Sequence, residues 1–179
     1  WGRCVMATVI RGDDNFDTSI GANVVQAHVT STSTQTIAAL GSVDVTGLSA
    51  TITPSSTASR VLVSVRWSGE ASASDHNFRL RLKRNGSYIG EAAAAGSRSI
   101  GLSILTSGYH GDDSATTPTS ASFEYLDSPS SVGATTYVLD ISSASGQSRT
   151  IYNNRTVNDS DSTGSERLTS SITLTEVQG

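Results

Sequence analysis

The sequence predicts a single all-β domain, a jelly-roll β-sandwich of about eight to ten antiparallel strands. Three observations carry that expectation. Ser and Thr fill nearly a third of the 179 positions, sixteen more are glycine, and Leu, Glu and Lys, which favour helices, are scarce. Apolar residues recur at every second position in segment after segment, the period that places them on one face of a sheet. Short clusters of Gly, Asn, Asp, Ser and Pro divide those segments at the spacing of a sandwich.

The segments follow in order. Val25, Ala27 and Val29 form a first candidate strand, and Ser31 to Thr36 reads as a polar surface loop. Leu48, Ala50 and Ile52 form the next strand, which Pro54 stops, and Ser55 to Ser59 is a loop. From Arg60 to Ser68 the alternation is clearest, with Val61, Val63, Val65 and Trp67 facing one way and Ser64, Arg66 and Ser68 the other. Phe78, Leu80 and Leu82 alternate with Arg79, Arg81 and Lys83, which are expected on the solvent side of their sheet. Asn85-Gly86 suits the positive φ angles of a type I′ hairpin turn, so Ser87 to Ile89 should pair back. Glu91 to Ala95 is too short for a helix and is followed by Gly96, which makes it a loop. Strand signals return at Ile100, Leu102 and Ile104, at Ser122 to Leu126, and at Tyr137, Leu139 and Ile141. Ile151 with Tyr152, and Ile172 with Leu174, supply the last two, and the stretches Asp112 to Thr119 and Thr156 to Glu166 are read as loops. The first twenty residues pair an apolar Val5 to Ile10 with a charged Arg11 to Asp17. Residues 1–40 are therefore read as an N-terminal arm or first strands, a candidate docking segment, and residues 41–179 as the jelly-roll domain.

A formal charge of −4, with the basic residues spread along the chain, argues against a charge-driven grip on nucleic acid. No apolar run approaches the ~20 residues that cross a bilayer, so membrane insertion is not expected. The single cysteine, Cys4, cannot form an intrachain disulfide, and stability must come from burial and assembly. The opening Trp1-Gly2-Arg3-Cys4 carries neither a signal-peptide pattern nor an initiating Met, so the chain is expected to be a processed product, an engineered piece or the ordered end of something longer. Aromatic residues make up only 6%, which leaves the core to aliphatic side chains that bury less area each, and a core of that kind gains from oligomerisation.

Chemistry-bearing residues are few. His28, His76 and His110 lie in unrelated segments without a nucleophile-elbow motif, and none is expected to be catalytic. Tyr109, His110, Asp112 and Asp113 form the densest polar cluster and are the candidate ligand-contact loop, although an ordinary Gly and Asp turn accounts for them as well. Asp159 to Gly164 has the start of a calcium loop, but the twelfth position falls on Ser170 rather than a Glu, so neither metal nor cofactor is expected. Asn85, Asn154 and Asn158 each head an Asn-x-Ser/Thr triplet, a pattern that chance supplies in so Ser/Thr-rich a chain. A glycan-cleaving enzyme requires paired carboxylates. Glu124 and Asp140 alone lie inside strong strand patterns, each expected to face solvent, and the chain is read as non-enzymatic.

Four phrases carry a resemblance. They are Thr46-Gly47-Leu48-Ser49-Ala50-Thr51-Ile52-Thr53-Pro54-Ser55-Ser56 leading into Arg60-Val61-Leu62-Val63; Tyr125-Leu126-Asp127-Ser128-Pro129 leading into Thr135-Thr136-Tyr137; Thr150-Ile151-Tyr152-Asn153-Asn154-Arg155; and Ser170-Ser171-Ile172-Thr173-Leu174-Thr175-Glu176. In that order, the stretch from Val43 to Gln178 resembles the C-terminal domains of tail-fibre-like and other virion proteins of bacteriophages, particularly marine and cyanobacterial ones. The resemblance implies a jelly roll similar to the tumour-necrosis-factor-like heads, assembled as a homotrimer on the virion with other virion proteins as partners. It implies a tail- or head-fibre tip that attaches to a host-surface glycan. The alternative is a capsid decoration, or cement, protein that clamps neighbouring subunits, with residues 1–40 as its docking arm.

Overall fold

The computed structural model describes residues 23–72, 78–105 and 116–179, and those residues contain eleven strands and no helix. In chain order the strands are β1 (Val24–Val29), β2 (Ser33–Ile37), β3 (Ser42–Ile52), β4 (Arg60–Ala71), β5 (Phe78–Arg84), β6 (Ser87–Ile89), β7 (Ser103–Ile104), β8 (Thr119–Asp127), β9 (Thr135–Ser143), β10 (Arg149–Asn153) and β11 (Ser170–Val177). Every pairing is antiparallel. In the first sheet β4 is flanked on one side by β8 and on the other by β11 and β10 laid end to end, with β1 and β2 beyond them. In the second, β3 pairs β9, β9 pairs β5, and β5 pairs β6 and β7. Counting each end-to-end pair as one column, the chain makes eight columns, four in each sheet, in jelly-roll order.

The interior lies where the period-two residues place it. Val61, Val63, Trp67, Leu80, Leu82, Tyr137, Leu139, Ile141, Ile151, Ile172 and Leu174 are completely buried between the sheets. Each large aliphatic side chain so placed stabilises the fold by roughly 1.5–3 kcal/mol relative to exposure.

Four expectations need correction, the last of them, on Asp140, at the site below. Ser33–Ile37, which falls largely inside the expected polar loop, is strand β2. Only Ile37 of that strand enters the core; the rest is tied by side chains. Gln35 donates from Nε2 to Asp44 O (2.8 Å) and accepts at Oε1 from Thr46 N (2.9 Å), which occupies backbone groups where β3 shifts register between Asp44 and Ser49. The alternation around Ile104 is also offset. Leu105 is buried and Ile104 is 59% exposed, because β7 pairs β5 for two residues only and the chain then turns inward, Leu105 N donating to Phe78 O. The third correction concerns the outer face of β5 and forms part of the site below.

Two consecutive asparagines hold the place where the column of β1 and β2 and that of β10 and β11 both break. Trp67 Nε1 donates to Asn153 Oδ1 at 2.7 Å, and Asn153 Nδ2 donates to Ser33 Oγ and Gln35 Oε1. Asn154, in the left-handed region at φ +59°, donates to Val29 O and Ser31 O and accepts from Ser170 Oγ at 2.6 Å. Residues 154–169 leave the sheet as one excursion whose ends are closed by Leu168 N donating to Asn154 O and by a bridge between Arg155 and Arg167.

Candidate functional site

The candidate contact residues Tyr109, His110, Asp112 and Asp113, like His76, lie outside the described residues. The frame that carries their loop is described. Near the end of β4 stands Glu70, a buried carboxylate whose Oε1 accepts from Thr117 N (3.2 Å) and Oγ1 (3.4 Å) and whose Oε2 accepts from Val157 N (2.6 Å). Next to it Ser72 N donates to Thr150 O. Glu70 therefore ties Thr117, which precedes β8, and Val157 of the 154–169 excursion to the end of β4.

A second cluster covers the outer face of the second sheet. Pairing aligns Asp44, Asp140 and Arg81 across β3, β9 and β5, with Lys83 diagonal to Asp140. Lys83 Nζ lies 2.6 Å from Asp44 Oδ1 and 3.1 Å from Asp140 Oδ2. From β6, the Tyr88 ring lies over this row. Arg81 stacks on it with its guanidinium carbon 3.4 Å from the centroid, Lys83 Nζ lies 5.0 Å from the centroid, and the phenol donates to Asp140 Oδ1 at 3.2 Å while sharing a 3.1 Å hydrogen bond with Ser42 Oγ. Glu91, just past β6, accepts from Arg81 Nε and Nη2. Arg79 donates to Ser142 Oγ from Nε and Nη2. The basic side chains expected to face solvent are thus half-buried, because Arg81 finds its acceptor in Glu91, Lys83 in Asp44 and Asp140, and Arg79 in Ser142.

Electrostatics follow from that covering. Asp140 is completely buried, not solvent-facing as its strand pattern suggests, and burial pushes its carboxyl above the usual range against the pull of Lys83. Its Oδ2 accepts no directed hydrogen bond despite the nearby ammonium. Burial opposes the charge on Lys83, but the hydrogen bond to Asp44 and the close carboxylate of Asp140 outweigh it and raise the ammonium above its ordinary value. Burial and the neighbouring Arg81 lower Arg79, and among the described residues no carboxylate forms an ion pair with it.

The remaining candidates are dispersed. Glu124 is exposed on the outer face of the first sheet, hydrogen-bonded to Ser64 Oγ, so it and Asp140 stand on opposite outer faces and do not converge. His28 is exposed on the first sheet's outer face. Asp159, the first acid of the calcium-like stretch, is bonded to Arg167 instead, and among the described residues no group of three or more ligating side chains gathers. Asn154 of the second glycosylation triplet is completely buried with both ends of its amide engaged. Sequence reasoning missed Asp44, Tyr88 and Glu91. The signal open to it was the cross-strand register, since Asn85-Gly86 fixes Tyr88 opposite Lys83. No protein-family model matches this chain, and no curated protein matches it.

Proposed function

We propose that this chain is a non-enzymatic structural protein of a phage virion, a trimeric jelly-roll head at the tip of a tail or head fibre that attaches to a host-surface glycan. The observation that carries the reading is the jelly-roll order of strands, with Glu70 holding Thr117 before β8 and Val157 of the polar 154–169 excursion at one end of the sandwich. The phrase resemblance from Val43 to Gln178 supplies the viral context. Ser- and Thr-rich loops offer many weak hydrogen bonds to sugar hydroxyls, and three copies on one axis convert weak sites into firm attachment by avidity. The test is adsorption of labelled, purified protein to candidate bacterial hosts, alongside attachment of virions that lack it. The reading expects binding that soluble host polysaccharide competes away and virions that fail to attach. Protein that adsorbs to no host, with normal attachment of the deficient virions, removes the receptor role. Particle images showing density spread over the capsid faces assign the chain to the head as a cement protein.

A further inference from the structure

Independently of that reading, the outer face of the second sheet carries the groups needed for a covalent bond. Eleven of the twelve basic residues are arginine, which is no nucleophile at ordinary pH, and the lone lysine, Lys83, sits between two carboxylates on neighbouring strands. The two acids differ. Asp44 lies 2.6 Å from the ammonium and is 54% exposed, so it can take up a proton and exchange it with solvent. Asp140 is completely buried, its Oδ2 lies 3.1 Å from Lys83 Nζ without a directed hydrogen bond, and its Oδ1 receives the Tyr88 phenol. That is the disposition of an acid–base partner, an electrophile and an oxyanion donor around one amine.

We propose that Lys83 and Asp140 condense to an intramolecular isopeptide bond that covalently joins β5 to β9, with Asp44 as the proton carrier and Tyr88 as the donor to the oxyanion. Asp44 takes one proton from the ammonium, and the freed Nζ attacks Cγ of Asp140. Negative charge gathers on Oδ1, where the Tyr88 hydroxyl points. The Nζ–Cγ bond forms and the Cγ–Oδ2 bond breaks. Of the three ammonium protons one stays on the amide nitrogen, and two leave with Oδ2 as water, the first by way of Asp44. Nothing is oxidised or reduced and no co-reactant is consumed. The raised carboxyl of Asp140 eases transfer of the proton that Asp44 carries onto Oδ2, which makes Cγ electrophilic. Condensation also replaces a buried ion pair, whose desolvation is costly, with a neutral amide, and expels water from a covered site.

Intact-mass measurement of the folded, purified chain tests this. The expected mass is lower than that of the sequence by one water molecule, with a branched Lys83–Asp140 peptide after proteolysis. Lys83→Arg and Asp44→Asn should each return the full mass while keeping the β-sheet circular dichroism spectrum, and Asp140→Asn should lose ammonia in place of water. A folded wild-type chain at full mass after prolonged incubation overturns the proposal. So does a water loss that persists in Lys83→Arg, which places the dehydration elsewhere.

Discussion

Single buried polar side chains decide much of this fold because each one satisfies several elements at once. Asn153 is the clearest case, joining Trp67 of β4 to Ser33 and Gln35 of β2 through one amide. Asn153→Ala leaves the buried indole N–H without its acceptor, and an unsatisfied buried donor costs about 1–3 kcal/mol. The urea midpoint should fall accordingly, and Asn153→Asp, which keeps the acceptor for Trp67 but buries a carboxylate against Gln35 Oε1, should lower it as well. Tyr137 and Arg84 act in the same way on Asp127, whose carboxylate accepts from the phenol at 2.7 Å and from Arg84 Nη1 at 2.9 Å. Glu176 adds a dependence on pH. Burial alone would raise its carboxyl, but Ser55 N, Ser55 Oγ and Asn23 Nδ2 all donate to it and hold it below its ordinary value of 4.5. The unfolded chain therefore binds the proton more readily. The contribution is whole above the ordinary value and is lost as pH falls through the folded one. Glu176→Gln should lower stability by about 1–3 kcal/mol at neutral pH and flatten that acid slope, as chemical denaturation at neutral and acid pH will measure.

At the scale of elements, two glycines separate close approach from backbone conformation. A Cβ at Gly69 would stand 2.2 Å from Tyr152 O and 2.8 Å from the Trp67 ring, so β4 and β10 can meet there only without a side chain. Gly86, at φ +83° in the β5–β6 turn, has open space around it. Gly86→Ala should cost only the left-handed penalty of about 1–2 kcal/mol, whereas Gly69→Ala should cost clearly more and loosen the β4–β10 pairing, which hydrogen exchange at Tyr152 and Asn153 will report. These contrasts also show which elements could be read from residues alone. β4, β5 and β9 were legible because Val63, Leu80 and Leu139 bury a period-two apolar face, the strongest local signal a strand gives. β2 was not, since Ser33 and Gln35 belong to the sheet through partners far along the chain, Asn153 and the β3 bulge, and no local pattern encodes those. The site divides the same way. The basic alternation on β5 was visible, but its covering by Tyr88 and Glu91 and its meeting with Asp44 depend on the register of three strands.

For the whole molecule, the outer face of the first sheet bears on the proposed trimer. It is built from polar side chains, Ser122, Ser64, Thr173, Gln26 and Ser171 among them, with one apolar row at its end formed by Leu126, Leu62 and Val24, interrupted by Thr175. Two of its charges are engaged, Arg66 donating to Thr169 O and Oγ1 and Glu124 accepting from Ser64 Oγ, while Arg60 is exposed beside the apolar row. At the rim Phe123 and Tyr125 of β8 are only partly buried against the core, and Leu126 is 41% exposed. Among the described residues no strand pairs with the far side of β8, which leaves an edge that natural proteins cover. A second copy of this chain answers all three features, since one subunit's apolar rim can lie on the next subunit's face and the contact repeated around an axis closes a ring. Leu126→Lys places a charge in that row without touching the core. Native mass spectrometry should then show single chains in place of assemblies of three, with the circular dichroism spectrum retained and adsorption to host cells weakened by the loss of avidity. A wild-type chain that is monomeric at high concentration, in the same oligomeric state as Leu126→Lys, takes the trimer away and leaves the jelly roll a single head.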